Sequence, residues 1–285
     1  TVVNSEKATI TITADFKSGT YFITVIRGSQ SLSLGTTTIT VMDAPHITKP
    51  KIIAHRGIHV TGEAENSMGS LREAMKFNAY GSELDVHITT DGKVVVHHDG
   101  VVGSQVFQNC TYDEIKNITL SNGEKLPTFE DMIKVVQEYK DKSQTKMIVE
   151  FKTGAIGIKA VDEVMKQIED ANLKDRVEYI SFGYDICQHI VSKDPTAIVG
   201  YLGGGFAPAS VNADGIKSID YEIGVFNKQP SWIADAHKLG MIVNVWTVND
   251  QNTMLKFIGK GVDYITTDQC ALLKSLVDKD FVSEK

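Results

Sequence analysis

The sequence predicts an α/β protein, a (β/α)8 barrel with a small N-terminal β-rich appendage, and three observations carry that reading. From Lys51 onward, eight short apolar strands alternate with helix-period segments, which calls for a parallel sheet with right-handed crossovers. That stretch is about 235 residues long, the length of a closed eight-stranded barrel. The first 45 residues differ in texture, being β-branched and mostly alternating. On alternation alone, an open doubly wound sheet is the runner-up.

In chain order, Ala8–Ala14, Thr20–Arg27 and Thr36–Val41 read as antiparallel strands separated by Lys17-Ser-Gly19 and Gly28-Ser-Gln30. They make residues 1–45 a partial Ig-like or simple sheet, which must bury one face to be stable. Asp43–Pro50, with two prolines, reads as a linker, so the barrel occupies residues 46–285. Barrel strands are expected at Ile52–Ala54, Ser82–Ile88, Met147–Phe151, Val177–Ser181, Ala197–Leu202, Ser218–Glu222, Ile242–Thr247 and Asp263–Thr267. Helices are expected at Ser67–Asn78, Thr128–Tyr139, Ile158–Ala171, Tyr184–Ser192, Pro230–Leu239 and Gln251–Ile258.

One segment breaks the alternation. Asp91-Gly92 between two apolar runs signals a two-residue hairpin turn that pairs Thr90 with Lys93 and Asp85 with His98. Parity then puts Glu83, Asp85 and His87 on one face with Val94, Val96 and His98. A three-residue loop would shift the pairing by one and substitute His97 or Asp99.

Composition bounds the function. With 285 residues, 42% hydrophobic and 23% charged, the chain buries a full core, which excludes disorder and fibre. Twenty-nine Lys+Arg against 36 Asp+Glu give a net charge of -7, without the broad basic footprint of nucleic-acid or anionic-membrane binding. An anionic ligand must therefore be held locally. No apolar run reaches transmembrane length. Cys110, Cys187 and Cys270 are odd in number and far apart, so they read as free thiols rather than a disulfide framework. The chain starts at Thr1 without a leader; the expectation is a removed signal segment and an extracytoplasmic location, periplasmic or cell-surface, with a cytoplasmic one as the alternative.

Four polar clusters sit where strands should end: His55-Arg-Gly57, Glu83 with Asp85, His98-Asp99, and Glu150 with Lys152. A parallel barrel brings strand ends to one rim. Three carboxylates meeting there without thiolates favour a hard cation, Mg²⁺ or Ca²⁺, over zinc. Gly203-Gly-Gly205 lacks a following Lys-Ser/Thr and reads as a strand-to-helix turn, His237 on the helical stretch before Gly240 reads as structural or exposed, and His59 and His189 carry no supporting constellation.

The segments Ile53-Ala-His-Arg-Gly57, Glu65-Asn-Ser67, Glu83-Leu-Asp-Val86, Val95-Val-His-His-Asp99, Val149-Glu-Phe-Lys152, Val245-Trp-Thr-Val-Asn249 and Gly261–Asp268 occur in the order of the glycerophosphodiester phosphodiesterases, and the chain resembles that family from Lys51 onward. The resemblance implies a TIM barrel that hydrolyses glycerophosphodiesters to glycerol 3-phosphate and an alcohol with a divalent metal. It implies His55 and His98 as acid and base, Arg56 and Lys152 at the phosphate, and Glu83, Asp85 and Glu150 as metal ligands. Trp246 would line the alcohol pocket, with Glu65 and Asn66 supporting the cation and the first histidine. Ala64 stands where the family usually has proline, and residues 100–107 lack a common arginine, which bears on substrate choice.

Two rival functions remain at the level of sequence. One is a phospholipase C-like or D-like enzyme on lipid phosphodiesters; the other is a non-catalytic barrel that binds phosphodiesters. The β appendage is expected to serve stability or attachment to a surface or partner, since it contains no acid, base or metal cluster.

Overall fold

The computed structural model describes residues 49–278 and four short strands nearer the N-terminus. Contacts divide the chain into two units, Thr1–Ile47 with Asp278–Lys285, and Thr48–Val277. In the first, Val2–Asn4 pairs antiparallel with Lys7–Ala8, and Thr24–Arg27 with Gln30–Ser33. The strand expected at Thr20–Arg27 thus contains an observed one, whose partner begins at Gln30, where a separator was expected. Residues 9–14, the strand at 36–41 and residues 43–48 of the linker lie outside the described residues.

The second unit is a closed barrel. The strands of its main sheet are β1 (Lys51–Ala54), β2 (Gly81–Ile88), β3 (Val94–Val96), β4 (Lys146–Phe151), β5 (Val177–Ser181), β6 (Val199–Tyr201), β7 (Ser218–Glu222), β8 (Ile242–Trp246) and β9 (Tyr264–Thr267). Among the described residues eight of them, all but β3, run parallel in one cycle, which closes where β2 lies beside both β1 and β4. Each expected barrel strand is present.

Side-chain alternation decides what each strand contributes. Leu84 and Val86 of β2, and Met147, Val149 and Phe151 of β4, join the core beneath the helices. The intervening Glu83, Asp85, Ile148 and Glu150 therefore point into the bore. Helix α1 (Met68–Phe77) starts at Ser67, whose side chain accepts from Ser70 N–H, and stops at the left-handed Asn78. Helix α2 (Phe129–Glu138) starts with a reciprocal Thr128–Asp131 capping box. Short helices at Tyr112–Ile115, Pro208–Ala213, Ile223–Lys228 and Cys270–Val277 were not expected; they span too few turns for a period to emerge. No described helix is long and apolar enough to cross a membrane.

The floor of the bore is plugged. At the N-terminal ends of the strands Tyr80 donates to Glu178, the Tyr80 and Tyr264 hydroxyls are 2.9 Å apart, and Lys146 donates to Glu178 at 2.9 Å. The Lys51 ammonium lies 4.1 Å from the Tyr80 ring centroid. Ile53, Ile148, Ile180 and Leu202 cluster with Tyr264 in the bore.

The hairpin differs from expectation. β3 returns antiparallel to β2 with Val86 opposite Val96 and Ile88 opposite Val94, so His97, not His98, faces Asp85; His97 N–H donates to the Asp85 carbonyl at 3.0 Å. The loop is Thr90-Asp91-Gly92, with Gly92 at φ +83°. Thr89 selects it: its hydroxyl accepts from Lys93 N–H at 2.9 Å and donates to Asp91 at 2.6 Å, closing the ladder one residue early.

Candidate active site

The C-terminal rim assembles side chains from across the sequence around one cavity of about 160 Å³. Its lining includes His55 and Arg56 after β1, Glu83, His98 after β3, Glu150, Lys152, Asp220 and Trp246. Of the residues singled out in the sequence, His55, Arg56, Glu83, His98, Glu150, Lys152 and Trp246 line this one cavity, His98 by a hairpin register other than the expected one. His98 reaches the cavity because the chain leaves the ladder after Val96. His87 does not line it; its ring packs edge-on against Phe107 at 5.8 Å.

One oxygen from each of Glu83, Asp85 and Glu150 lies within 4.8 Å of the others. Asp85 is 1% exposed and is held at both ends by Asn66, which donates Nδ2 to Oδ2 at 2.8 Å and accepts Asp85 N–H at 3.0 Å. Arg56 N–H donates to Glu83 Oε2 at 2.8 Å. Both Arg56 and Asn66 sit in the left-handed region, at φ +53° and +58°, a strained backbone that the surrounding contacts maintain. Lys152 donates to Asp85 and, at 2.7 Å, to Glu150.

Charge crowding shows in the acidities. Burial, then Asp85 and Glu150, push Glu83 well above the usual carboxylate range, and burial with Asp85 raises Glu150. Burial would raise Asp85 too, but Lys152 and Asn66 outweigh it and hold it low. One Glu83 oxygen, Oε1, is buried without a hydrogen-bond partner, as is Arg56 Nε. Arg56 Nε lies 3.8 Å from Asp85 Oδ2, an ion pair without a hydrogen bond.

The histidines are oriented differently. His55 Nδ1 is 2.8 Å from Asp268 Oδ1. Burial acts against ionised Asp268, yet hydrogen bonds from His55 and Asn249 hold it down to about 2. An ionised carboxylate only accepts, so His55 carries its proton on Nδ1 and leaves Nε2 for other partners. His98 Nδ1 lies 2.8 Å from Asp99. The expected support for the first histidine from Glu65 is absent: Glu65 pairs with Arg56 at 2.7 Å and stands 3.9 Å from His59. Asp268 takes that place, 213 positions from His55, and it also lies 3.4 Å from His59, which gains the constellation that its sequence neighbours do not reveal.

The opposite wall is apolar. Trp246 donates Nε1 to the Asp220 carbonyl at 2.9 Å and meets Phe182 edge-on at 5.6 Å, with Ile180 and Leu202 alongside. Gly203-Gly-Gly205 lies between β6 and the helix at Pro208–Ala213, as a turn. Cys187 and Cys270 are buried free thiols, both pushed by burial up to about 12, and Cys110 is half-buried.

The model of the glycerophosphoryl diester phosphodiesterase family matches residues 55–272. The chain belongs to that family. Membership makes it an enzyme, a phosphoric diester hydrolase, with the rim just described as the part of the barrel where such enzymes work. The glycerophosphodiester phosphodiesterase of Caldanaerobacter subterraneus is 29% identical over 245 residues, covering 81% of this chain and 99% of the relative. The crystal structure of a glycerophosphodiester phosphodiesterase from Parabacteroides distasonis is 38% identical, with a TM-score of 0.77 over 80% of this chain and 97% of that one. An Oleispira antarctica phosphodiesterase, solved in complex with the product sn-glycerol-3-phosphate, shares the fold at 22% identity and a TM-score of 0.69 over 80% of this chain and 97% of that one. The acidic cluster is consistent with divalent metal binding in this family member.

Proposed function

We propose that the chain hydrolyses glycerophosphodiesters to glycerol 3-phosphate and an alcohol by histidine acid–base chemistry, with Mg²⁺ or Ca²⁺ as cofactor. The observation that carries this reading is the cluster of Glu83, Asp85 and Glu150 with one buried unpartnered oxygen, two of whose members line a single cavity with Arg56, Lys152 and two histidines. Glu83, Asp85 and Glu150 would hold the cation; their all-oxygen donor set fits a hard ion. When bound, that ion supplies positive charge against the phosphodiester and the charge that builds during attack.

The protein's own groups then divide the work. Arg56, whose buried Nε makes no hydrogen bond and lies 3.8 Å from Asp85 Oδ2, and Lys152 face the phosphate oxygens. The glycerol's neighbouring hydroxyl attacks phosphorus, one histidine taking its proton while the other protonates the departing alcohol. The resulting cyclic phosphate is opened by water with the roles reversed. Attack from within the substrate gains from proximity, and the chain has no Gly-x-Ser-x-Gly elbow to supply a nucleophile instead. Asp268 fixes the His55 tautomer for its part.

Turnover of glycerophosphocholine by the wild type, His55→Ala and His98→Ala, each with and without a chelator, tests the proposal. Each substitution should reduce kcat by at least ~10²-fold. Chelation should abolish wild-type turnover, and Mg²⁺ or Ca²⁺ should restore it. Variants that keep near-normal rates while folded would sink the histidine assignment.

A further inference from the structure

His55 is tied to the barrel by its side chain, through Asp268. His98 is not: its ring pairs with Asp99, the next residue, whose side chain is 65% exposed. That pair turns the ring within its loop without fixing the loop to the barrel, and an exposed ion pair adds little hold. The chain leaves the ladder where His97 N–H meets the Asp85 carbonyl. One residue further on, His87 Nε2 lies 3.2 Å from the His98 carbonyl. A carbonyl only accepts, so His87 carries a proton on Nε2 and donates it. Its ring also lies against Gly100, where a Cβ would come within 3.1 Å of His87 Cε1. The fully buried Phe107 packs edge-on against both His87 and His97, at 5.8 and 5.7 Å, and its own N–H donates to the Gly100 carbonyl at 2.9 Å.

His87 stands opposite Val95 in the hairpin, two residues beyond Asp85 on β2, so its backbone is as fixed as the ladder that carries the acidic cluster. From that strand its side chain spans to the carbonyl of the residue whose imidazole moves a proton. We infer that His87 is a positioning residue for His98: the Nε2–H on the His98 carbonyl and the ring against Gly100 set the distance between the His98 imidazole and the oxygen with which it exchanges a proton. The inference rests on the histidine acid–base reading of the site. Proton transfer needs heavy atoms about 2.6–3.2 Å apart, and a misplacement of about 1 Å is enough to cost on the order of 10²-fold in rate. Substrate binding has no part in this, because His87 does not line the cavity.

The test measures kcat and KM on glycerophosphocholine at saturating Mg²⁺ for His87→Leu, which fills the space without a donor, and His87→Gln, which keeps an amide N–H. Each is made in the wild-type and in the His98→Ala background, with melting curves as the folding control. His87→Leu should lower kcat about 10- to 10²-fold with KM within about threefold, and His87→Gln should recover most of that loss. In the His98→Ala background His87→Leu should cost less than about threefold, because no imidazole is left to place. A purely structural role would cost the same in both, so an equal loss in the two backgrounds overturns the inference, as does a folded His87→Leu with wild-type kcat. If His87→Leu does not fold, Gly100→Ala decides: its methyl crowds the His87 ring, and it should lower kcat only where His98 is present, an equal loss or none overturning the inference. Near-normal turnover by His98→Ala would overturn the histidine reading itself, a result distinct from the others.

Discussion

A carboxyl group shut in a barrel core holds its proton more tightly than the same group in the unfolded chain, and Asp220 is such a group. Burial, only partly offset by Asn244, raises it from 3.8 to about 7. Between those values the folded state binds more protons than the unfolded one, so this residue's contribution is fully present below about pH 4 and is lost as pH rises to about 7. Asp220→Asn removes that dependence. Its stability relative to wild type should grow across this window, by on the order of 4 kcal/mol at most, and stay level above it. Urea titrations between pH 4 and 8 measure the gap; a gap independent of pH would show that Asp220 is not held proton-rich by the fold. Legibility at this scale followed proximity in the chain. Glu83 and Asp85 announce themselves by spacing, and Glu150 with Lys152 likewise. Asp268 and Asp220 act through partners that only closure of the barrel brings near, and a carboxylate after or within a strand has no mark of its own.

Elements were legible where they repeat and illegible where they turn. Eight strands of alternating or continuous apolar residues could be placed because a parallel barrel needs both faces of each strand. The hairpin register was misjudged by one residue because Asp91-Gly92 fits both two- and three-residue loops, and the choice lay with the Thr89 hydroxyl. The loop after β1 is specified more tightly. Gly57 sits at φ +81°, and a Cβ there would stand 2.4 Å from Ser70 Oγ and 2.8 Å from the Ser70 carbonyl carbon, on backbone that cannot step aside. Ser70 in turn donates to the Arg56 carbonyl at 3.1 Å, so the turn and the start of α1 move together. Gly57→Ala should therefore destabilise the fold by about 2–4 kcal/mol and displace His55 and Arg56 in whatever folds. Chemical denaturation together with residual kcat/KM would check it; a variant of wild-type stability and rate would mean that the loop yields freely.

At the scale of the molecule, the barrel was readable from Lys51 onward, and the family match covers much the same stretch, starting at residue 55. The N-terminal strands stand outside that match, and β-branched runs without a long-range partner pattern could not fix which of them pair. The plug of Tyr80, Glu178, Tyr264 and Lys146 has a kinetic meaning. A tube sealed at its floor has one door, and whatever sits deeper must leave later. With the phosphate held by Arg56 and Lys152 on the proposed reading and the leaving alcohol toward the mouth, the freed alcohol departs first and glycerol 3-phosphate last. An ordered release of this kind makes glycerol 3-phosphate a competitive inhibitor and the alcohol a noncompetitive one. Initial-rate measurements with each added product would reveal the order, and competitive inhibition by the alcohol would mean that the queue runs the other way. Under accumulating product, then, throughput would be governed by how fast the phosphate monoester is carried away from the mouth.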